Sequence, residues 1–251
     1  MIAASQNNLP DASLKFRGDT KSDRIRLMFA SIVPRYDTIN TLMTLGLDRR
    51  WRRQTVAMVE PSGGIALDIA TGTGELAREL DRAGARLTIG MDFCAEMVRA
   101  AQRKFAATDG CGSLRLGVGD AMALPFADET FDCIVNGFML RNVADLGATF
   151  AELYRVLKPG GRLACLDLTP PRGPMRRAFS LYIASVVPLL GVVIGRKYAA
   201  YRYLFQSLSI HPDAERIAAM MREAGFAEAN FRIAGFGAVA IHFGRKAARP
   251  A

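Results

Sequence analysis

Apolar and polar positions change period several times along the chain, and the changes mark its elements. From Arg24 to Met43 the residues Ile25, Met28, Phe29 and Ile32 recur at helical intervals, and Pro34 with the polar stretch Tyr36–Asn40 breaks the run. Two or more short helices are predicted, continuing through Trp51 to Val59, before Pro61, Gly63 and Gly64 mark a loop. Short apolar runs of strand length follow at Ile65–Ala70, Leu87–Asp92, Leu114–Asp120, Phe131–Gly137 and Arg162–Leu168. Helical patterns separate them at Glu75–Ala83, Ala95–Ala106 and Ala144–Leu157, the last ended by Lys158-Pro159-Gly160-Gly161. Further on, Pro212–Ala224 reads as a helix with His211 as its N-cap, and two short strands fall around Phe231–Ala234 and Ala238–Phe243. Strands alternating with helices predict a mainly parallel α/β sheet with helices on both faces. Ligands of such a sheet bind outside the carboxyl ends of its strands.

Composition adds boundaries. The chain has 251 residues, half of them hydrophobic, enough for one α/β domain with a sizeable core. The expected division is a polar arm over 1–22 and a single domain over 23–251. Within it, 23–60 forms a helical cover and 172–211 an apolar helical insertion or lid. The first residues lack the apolar core of a signal peptide, so a cytoplasmic protein is expected. Cys94, Cys111, Cys133 and Cys165 contain no CxxC pair and the two histidines lie far from them, so no metal site is expected. The net charge of +9 favours phosphate-bearing partners, but excess Arg on a solvated face accounts for it equally well. No aromatic-rich basic groove is legible, so nucleic acid is not an expected partner. The segment 178–195 carries no charge and is flanked by Arg176, Arg177, Arg196 and Lys197. Its length approaches the ~18 residues that raise the question of a membrane span. Pro188 near its middle, with Ser180 and Ser185, argues instead for a buried or interfacial helical pair.

Chemistry concentrates after the first strand. Asp68-Ile-Ala-Thr-Gly72-Thr-Gly74-Glu-Leu-Ala77 combines a strand end, two glycines for a tight turn and an Ala for close helix packing. Dinucleotide sites share that pattern. A carboxylate at Asp68 would repel a diphosphate but suit an ammonium or a sulfonium. Asp92 ends the second strand roughly 20 residues beyond the glycines, where an acid hydrogen-bonds ribose hydroxyls, with Phe93 and Met97 beside it. Asp120, after the third strand, can accept from an adenine amino group beside an apolar shelf at Ala121. For each of these acids a cap or turn role is the competing reading.

The run Asp68–Gly74, Asp92, GDAMALPF and LKPGGRL resembles class I methyltransferases. FASIVPRYDTIN (Phe29 to Asn40) with Trp51-Arg52, LRNVAD (Leu140 to Asp145) and YRYLFQSLSIHPD (Tyr201 to Asp213) resemble the ubiquinone/menaquinone biosynthesis C-methyltransferases. The resemblance implies a seven-stranded Rossmann-like sheet with a helical cover. It implies S-adenosylmethionine-dependent C-methylation of a prenylated quinol, either a demethylmenaquinol or a polyprenyl-benzoquinol, in respiratory quinone biosynthesis. Carried onto this chain, Gly72, Thr73 and Gly74 line the amino-acid part of the cofactor, Asp92 holds the ribose, and Asp120 with Ala121 holds adenine. Gly137 stands where the family often has Ser. Arg141 is expected to stabilise a developing phenolate, since a guanidinium hardly deprotonates; a structural ion pair is its alternative. Asn142 orients Arg141 or caps the next helix. Tyr36, Asp37 and Asn40 close the cofactor or substrate pocket or fix a turn, Tyr201 and Tyr203 are candidates for the quinone pocket, and His211 touches substrate or caps its helix. Apolar helices edged by Arg and Lys could lie on an anionic membrane, on the inner face, and pass the prenyl tail inward. A homodimer is left open. Another small aromatic or natural-product acceptor, and an NAD-type oxidoreductase or non-catalytic module, are the competing functions; Asp68 and GDAMALPF weigh against the last two.

Overall fold

A computed structural model describes residues 21–106, 113–171 and 211–249, together with 173, 177, 179, 181, 182 and 185. Tyr201, Tyr203 and nearly all of the expected arm and insertion lie outside the described residues.

The chain begins with α1 (Lys21–Ile32), a 3-10 turn at Val33–Arg35, α2 (Tyr36–Met43) and α3 (Asp48–Ala57). The alternating part follows: β1 (Ile65–Ile69), α4 (Glu75–Arg82), β2 (Leu87–Asp92), α5 (Ala95–Ala106), β3 (Leu114–Val118), β4 (Phe131–Gly137), α6 (Leu146–Val156) and β5 (Leu157–Leu168). It closes with α7 (Ala214–Glu223), β6 (Ala227–Ala234) and β7 (Val239–Arg245). The seven strands form one sheet in the order β3-β2-β1-β4-β5-β7-β6. The first five run parallel, and β7 inserts antiparallel between β5 and β6.

Why the strands read as continuous apolar runs is visible in their packing. Leu67, Ile69, Ile134, Leu163 and Cys165 point to one face, with Phe150 and Leu153 of α6 and Ile217 and Met221 of α7. Ala66, Cys133, Val135 and Ala164 point to the other, with Val56 of α3 and Leu76 and Leu80 of α4. A parallel sheet covered on both faces buries both sets of alternate side chains.

Three boundaries differ from expectation. The α7 N-cap is Asp213, not His211: the Asp213 side chain accepts from the Arg216 amide at 2.9 Å. The α6 N-cap is Asp145, accepting from the Ala148 amide at 3.0 Å, so Asn142 does not cap that helix. Lys158-Pro159-Gly160-Gly161 does not separate helix from strand; β5 already starts at Leu157, which pairs with Phe131, and the register then shifts so that Arg162 faces Cys133. Pro and Gly there make an irregularity at the start of a strand rather than a loop. Among the described residues no helix is long and apolar enough to cross a membrane.

Chain order reverses at β1. From there the chain moves outward to β2 and β3, then returns to place β4 on β1's other side. This switch point opens a crevice at the carboxyl ends of the strands.

Candidate active site

The crevice is a cavity of about 810 Å³, part of it open to solvent. Its floor comes from strand ends: Ile69 and Ala70 after β1, Asp92 and Phe93 at β2, Gly119 to Met122 after β3, and Gly137 to Met139 after β4. Its cover comes from Ile25, Arg26 and Phe29 of α1 and Tyr36 of α2. Of the residues expected to hold cofactor, Gly72, Asp92, Phe93, Met97, Asp120, Ala121 and Gly137 line this cavity, as do Tyr36 and Asn142.

Asp68, Thr73 and Gly74 do not line it, and each has a structural task instead. Asp68 lies fully buried beneath the turn. One of its oxygens accepts from Thr71 Oγ1 at 2.6 Å and from the Ala77 amide at 2.8 Å, tying the turn to the first helical turn of α4. Burial pushes its carboxyl up to about 7 against those hydrogen bonds. Its other oxygen is buried without a partner among the described residues. Thr73 turns away and donates to Asp37 of α2. Gly74 has φ +83, and a Cβ there would run into the Phe105 ring, so its glycine serves α4–α5 packing. Gly72, at φ +57, is the glycine that faces the cavity. Ala70 also adopts a left-handed backbone, φ 57, a conformation costing a non-glycine residue roughly 1–2 kcal/mol. Such strain gathers where a backbone must approach a ligand.

Asp92 organises the rim. Its two oxygens accept from the Gly72 amide at 2.7 Å and the Cys94 amide at 2.8 Å. Burial raises its carboxyl pKa while those two amides pull it down. Asp120 accepts from the Met122 amide at 2.9 Å, which shapes the shelf that includes Ala121. The absent side chain at Gly137 has a steric reason: a Cβ there would stand 2.9 Å from Leu76 Cδ1.

The cover is latched to the floor by residues that periodicity alone did not single out. Lys104 of α5 donates to Asp37 of α2 at 2.8 Å and also pairs with Glu75 of α4. With the Thr73–Asp37 bond, these contacts clamp α2 beside the glycine turn. Asp37 sits in the Tyr36–Asn40 stretch that the family resemblance highlighted; Lys104 carried no signal beyond its position late in a helix.

A second polar cluster lies beside the cavity. Arg141 is not among the residues lining the cavity; its guanidinium forms an almost fully buried ion pair with Asp167 near the end of β5. Asp167 also accepts from the Leu168 amide at 2.8 Å. The Arg141 Cζ stands 5.6 Å from the Phe138 ring centroid, and Arg52 Cζ stands 5.8 Å from the same centroid. Arg52 in turn pairs with buried Asp48. Phe138, which sequence reasoning missed, lines the cavity with a left-handed backbone, φ 59, and its carbonyl accepts from Asn142 Nδ2 at 2.9 Å. Asn142 thus helps to fix the Phe138 backbone. His211 is buried within electrostatic reach of Asp167 and Arg141, and burial lowers its pKa from the usual 6.5, the Asp167 charge opposing. Burial also raises the Tyr36 phenol pKa, the Arg52 charge opposing. His242, on β7, is a packed strand residue against Phe231, its pKa pushed down to about 4 by burial.

A seven-stranded sheet with β7 reversed, a glycine turn after β1 and an acid ending β2 define a class I methyltransferase. A crystal structure of a SAM dependent methyltransferase from Aquifex aeolicus superposes with a TM-score of 0.61 at 17% identity, covering 86% of this chain and 97% of that one. The model of the ubiE/COQ5 methyltransferase family matches residues 17–246, and the chain belongs to that family. It is 45% identical over 232 residues to the demethylmenaquinone methyltransferase of Roseiflexus castenholzii, covering 91% of this chain and 95% of that protein. It is 42% identical to the ubiquinone/menaquinone biosynthesis C-methyltransferase UbiE of Desulfotalea psychrophila, covering 90% and 92%. The protein is therefore an S-adenosylmethionine-dependent methyltransferase.

Proposed function

We propose that this enzyme methylates a ring carbon of a prenylated quinol, a demethylmenaquinol or polyprenyl-benzoquinol, from S-adenosylmethionine. The observation that carries this reading is a cavity lined by Gly72, Asp92, Asp120 and Ala121 beside the buried Arg141–Asp167 pair, with His211 within their electrostatic reach. The cavity residues fit the cofactor. Asp92 accepts one amide on each oxygen and, as a carboxylate, has lone pairs left for ribose hydroxyls. Asp120 and Ala121 would hold adenine, and Gly72 would pass beneath the amino-acid part. When bound, the cofactor supplies an electrophilic methyl group.

The chain's own residues then orient the acceptor and manage its proton. Placement of two reactants contributes at most ~7–11 kcal/mol in well-oriented systems. Tyr36 and Phe138 bound the mouth between cofactor and cluster. Arg141, held beside the cavity by Asp167 and packed on Phe138, favours negative charge developing on the quinol oxygen through space rather than by direct contact. His211 accepts the hydroxyl proton, because burial holds its imidazole neutral at physiological pH. The base must be unprotonated, so activity should be flat through neutral pH and fall only below the ordinary histidine value of 6.5. His211→Ala should lower kcat by roughly 10²–10⁴-fold, with cofactor affinity intact and the acidic fall removed. Full turnover with the same pH profile would remove His211 from this role.

A prenylated acceptor resides in lipid, and the localisation proposed with it is peripheral, on the inner face of the membrane. The reading is tested by mass spectrometry of the quinone pool from cells lacking the protein. A desmethyl quinone should accumulate; an unchanged pool would point to another aromatic acceptor.

A further inference from the structure

We infer that one end of the molecule is a docking surface for an anionic phospholipid bilayer, formed by the α2–α3 turn, the β6–β7 turn and the outer face of α3. The inference rests on the quinol reading, since a prenyl tail resides in lipid.

Among the described residues seven large hydrophobic side chains are exposed, and five gather here: Leu42, Leu45, Leu181, Ile233 and Phe236. Two are extreme. Leu45 is 77% exposed and Phe236 is 80% exposed, each at the tip of a turn. Both have left-handed backbones, φ 52 and φ 55, where Gly or Asn would sit with less strain. Neither local conformation nor packing among the described residues accounts for bulky apolar residues at these tips.

Contacts tie both turns to α3. Gly235, next to Phe236, packs so closely on Trp51 of α3 that a Cβ would stand 2.8 Å from Trp51 Cζ2. The Tyr182 hydroxyl donates to the Met43 carbonyl at 2.8 Å, which brings Leu181, 70% exposed, beside the α2–α3 turn. Charge then selects the occupant. The outer face of α3 presents Arg49, Arg50 and Arg53, while its one acid, Asp48, is buried against Arg52. Apolar tips beside a wholly basic helix face match lipid chains beneath phosphate headgroups. The surface also faces the right way: the β6–β7 turn lies where Val239 pairs with Leu168, the carboxyl end of β5. That is the end at which the cavity opens.

The test is co-sedimentation of the full chain with phosphatidylcholine vesicles, with and without phosphatidylglycerol. Wild type should bind, preferring phosphatidylglycerol. The pair Leu45→Asn and Phe236→Asn keeps residues that tolerate left-handed backbone, so melting temperature and S-adenosylhomocysteine affinity should hold while vesicle binding weakens by roughly ten-fold or more. Arg49→Gln with Arg50→Gln and Arg53→Gln should erase the phosphatidylglycerol preference. No wild-type binding, or unchanged binding in both variants, overturns the inference. So does a change from dimer to monomer with vesicle binding intact, which would make this face a contact between copies. A short-chain, water-soluble quinol separates the two readings. If the Asn pair methylates it as fast as wild type, the surface serves delivery. If wild type leaves it unmethylated while vesicle results stand, the quinol reading fails and the docking surface remains.

Discussion

Asp167→Ala is expected to destabilise the protein by about 3–5 kcal/mol, because it strands the Arg141 guanidinium in a site with almost no access to water. The loss is larger than that of a hydrogen bond alone. Asp167 is completely buried, and it also holds the Leu168 amide at the end of β5. What makes the effect electrostatic is the double variant. Arg141→Met with Asp167→Leu removes both charges and should recover much of the stability, since no lone ion is left behind. Urea denaturation measures all three. A loss below about 1 kcal/mol in Asp167→Ala would mean that Arg141 reaches solvent or another acid, and the buried cluster would lose its basis.

Asp92→Ala should weaken S-adenosylhomocysteine binding by roughly a hundredfold or more. Two effects act together. The side chain now receives the Gly72 and Cys94 amides, so its removal unties the glycine turn from the end of β2. Hydrogen bonds to a charged group are worth about 1.5–3 kcal/mol, and each 1.4 kcal/mol is about tenfold in affinity. A variant that keeps its fold and binds with unchanged affinity in a calorimeter would show that the ribose is held elsewhere.

Much of this layout was legible in the sequence. The switch between period two and period 3.6 located the parallel strands and the helices between them, because a sheet covered on both faces leaves little freedom in which residues alternate. The two closing strands were legible as short apolar patterns, but their order in the sheet and the reversal of β7 were not, because a short strand pattern does not state its direction. The candidate site was legible where strand ends fix a residue's position, at Gly72, Asp92 and Asp120. It was misread where a side chain could turn either way. Asp68 and Thr73 belong to the same motif as Gly72, yet one points under the turn and the other toward α2, since Ala77 and Asp37 offer partners there. Arg141 was noticed but its partner was not: Asp167 lay inside an apolar run that read only as strand. The helix cap at Asp213 was missed because Pro212 drew attention to the residue before it, although an aspartate just after a proline is the better acceptor for the first amides.

The central claim is methyl transfer to carbon on a quinol ring, and one measurement bears on it most directly. Purified enzyme is incubated with S-adenosylmethionine carrying a ¹³C-labelled methyl group and a chemically reduced, demethylated short-chain naphthoquinol or benzoquinol, and the product is examined by NMR. A labelled methyl resonance coupled to a ring carbon is expected. A label found on the quinol oxygen, or no transfer to either acceptor by enzyme that binds the cofactor, would contradict it.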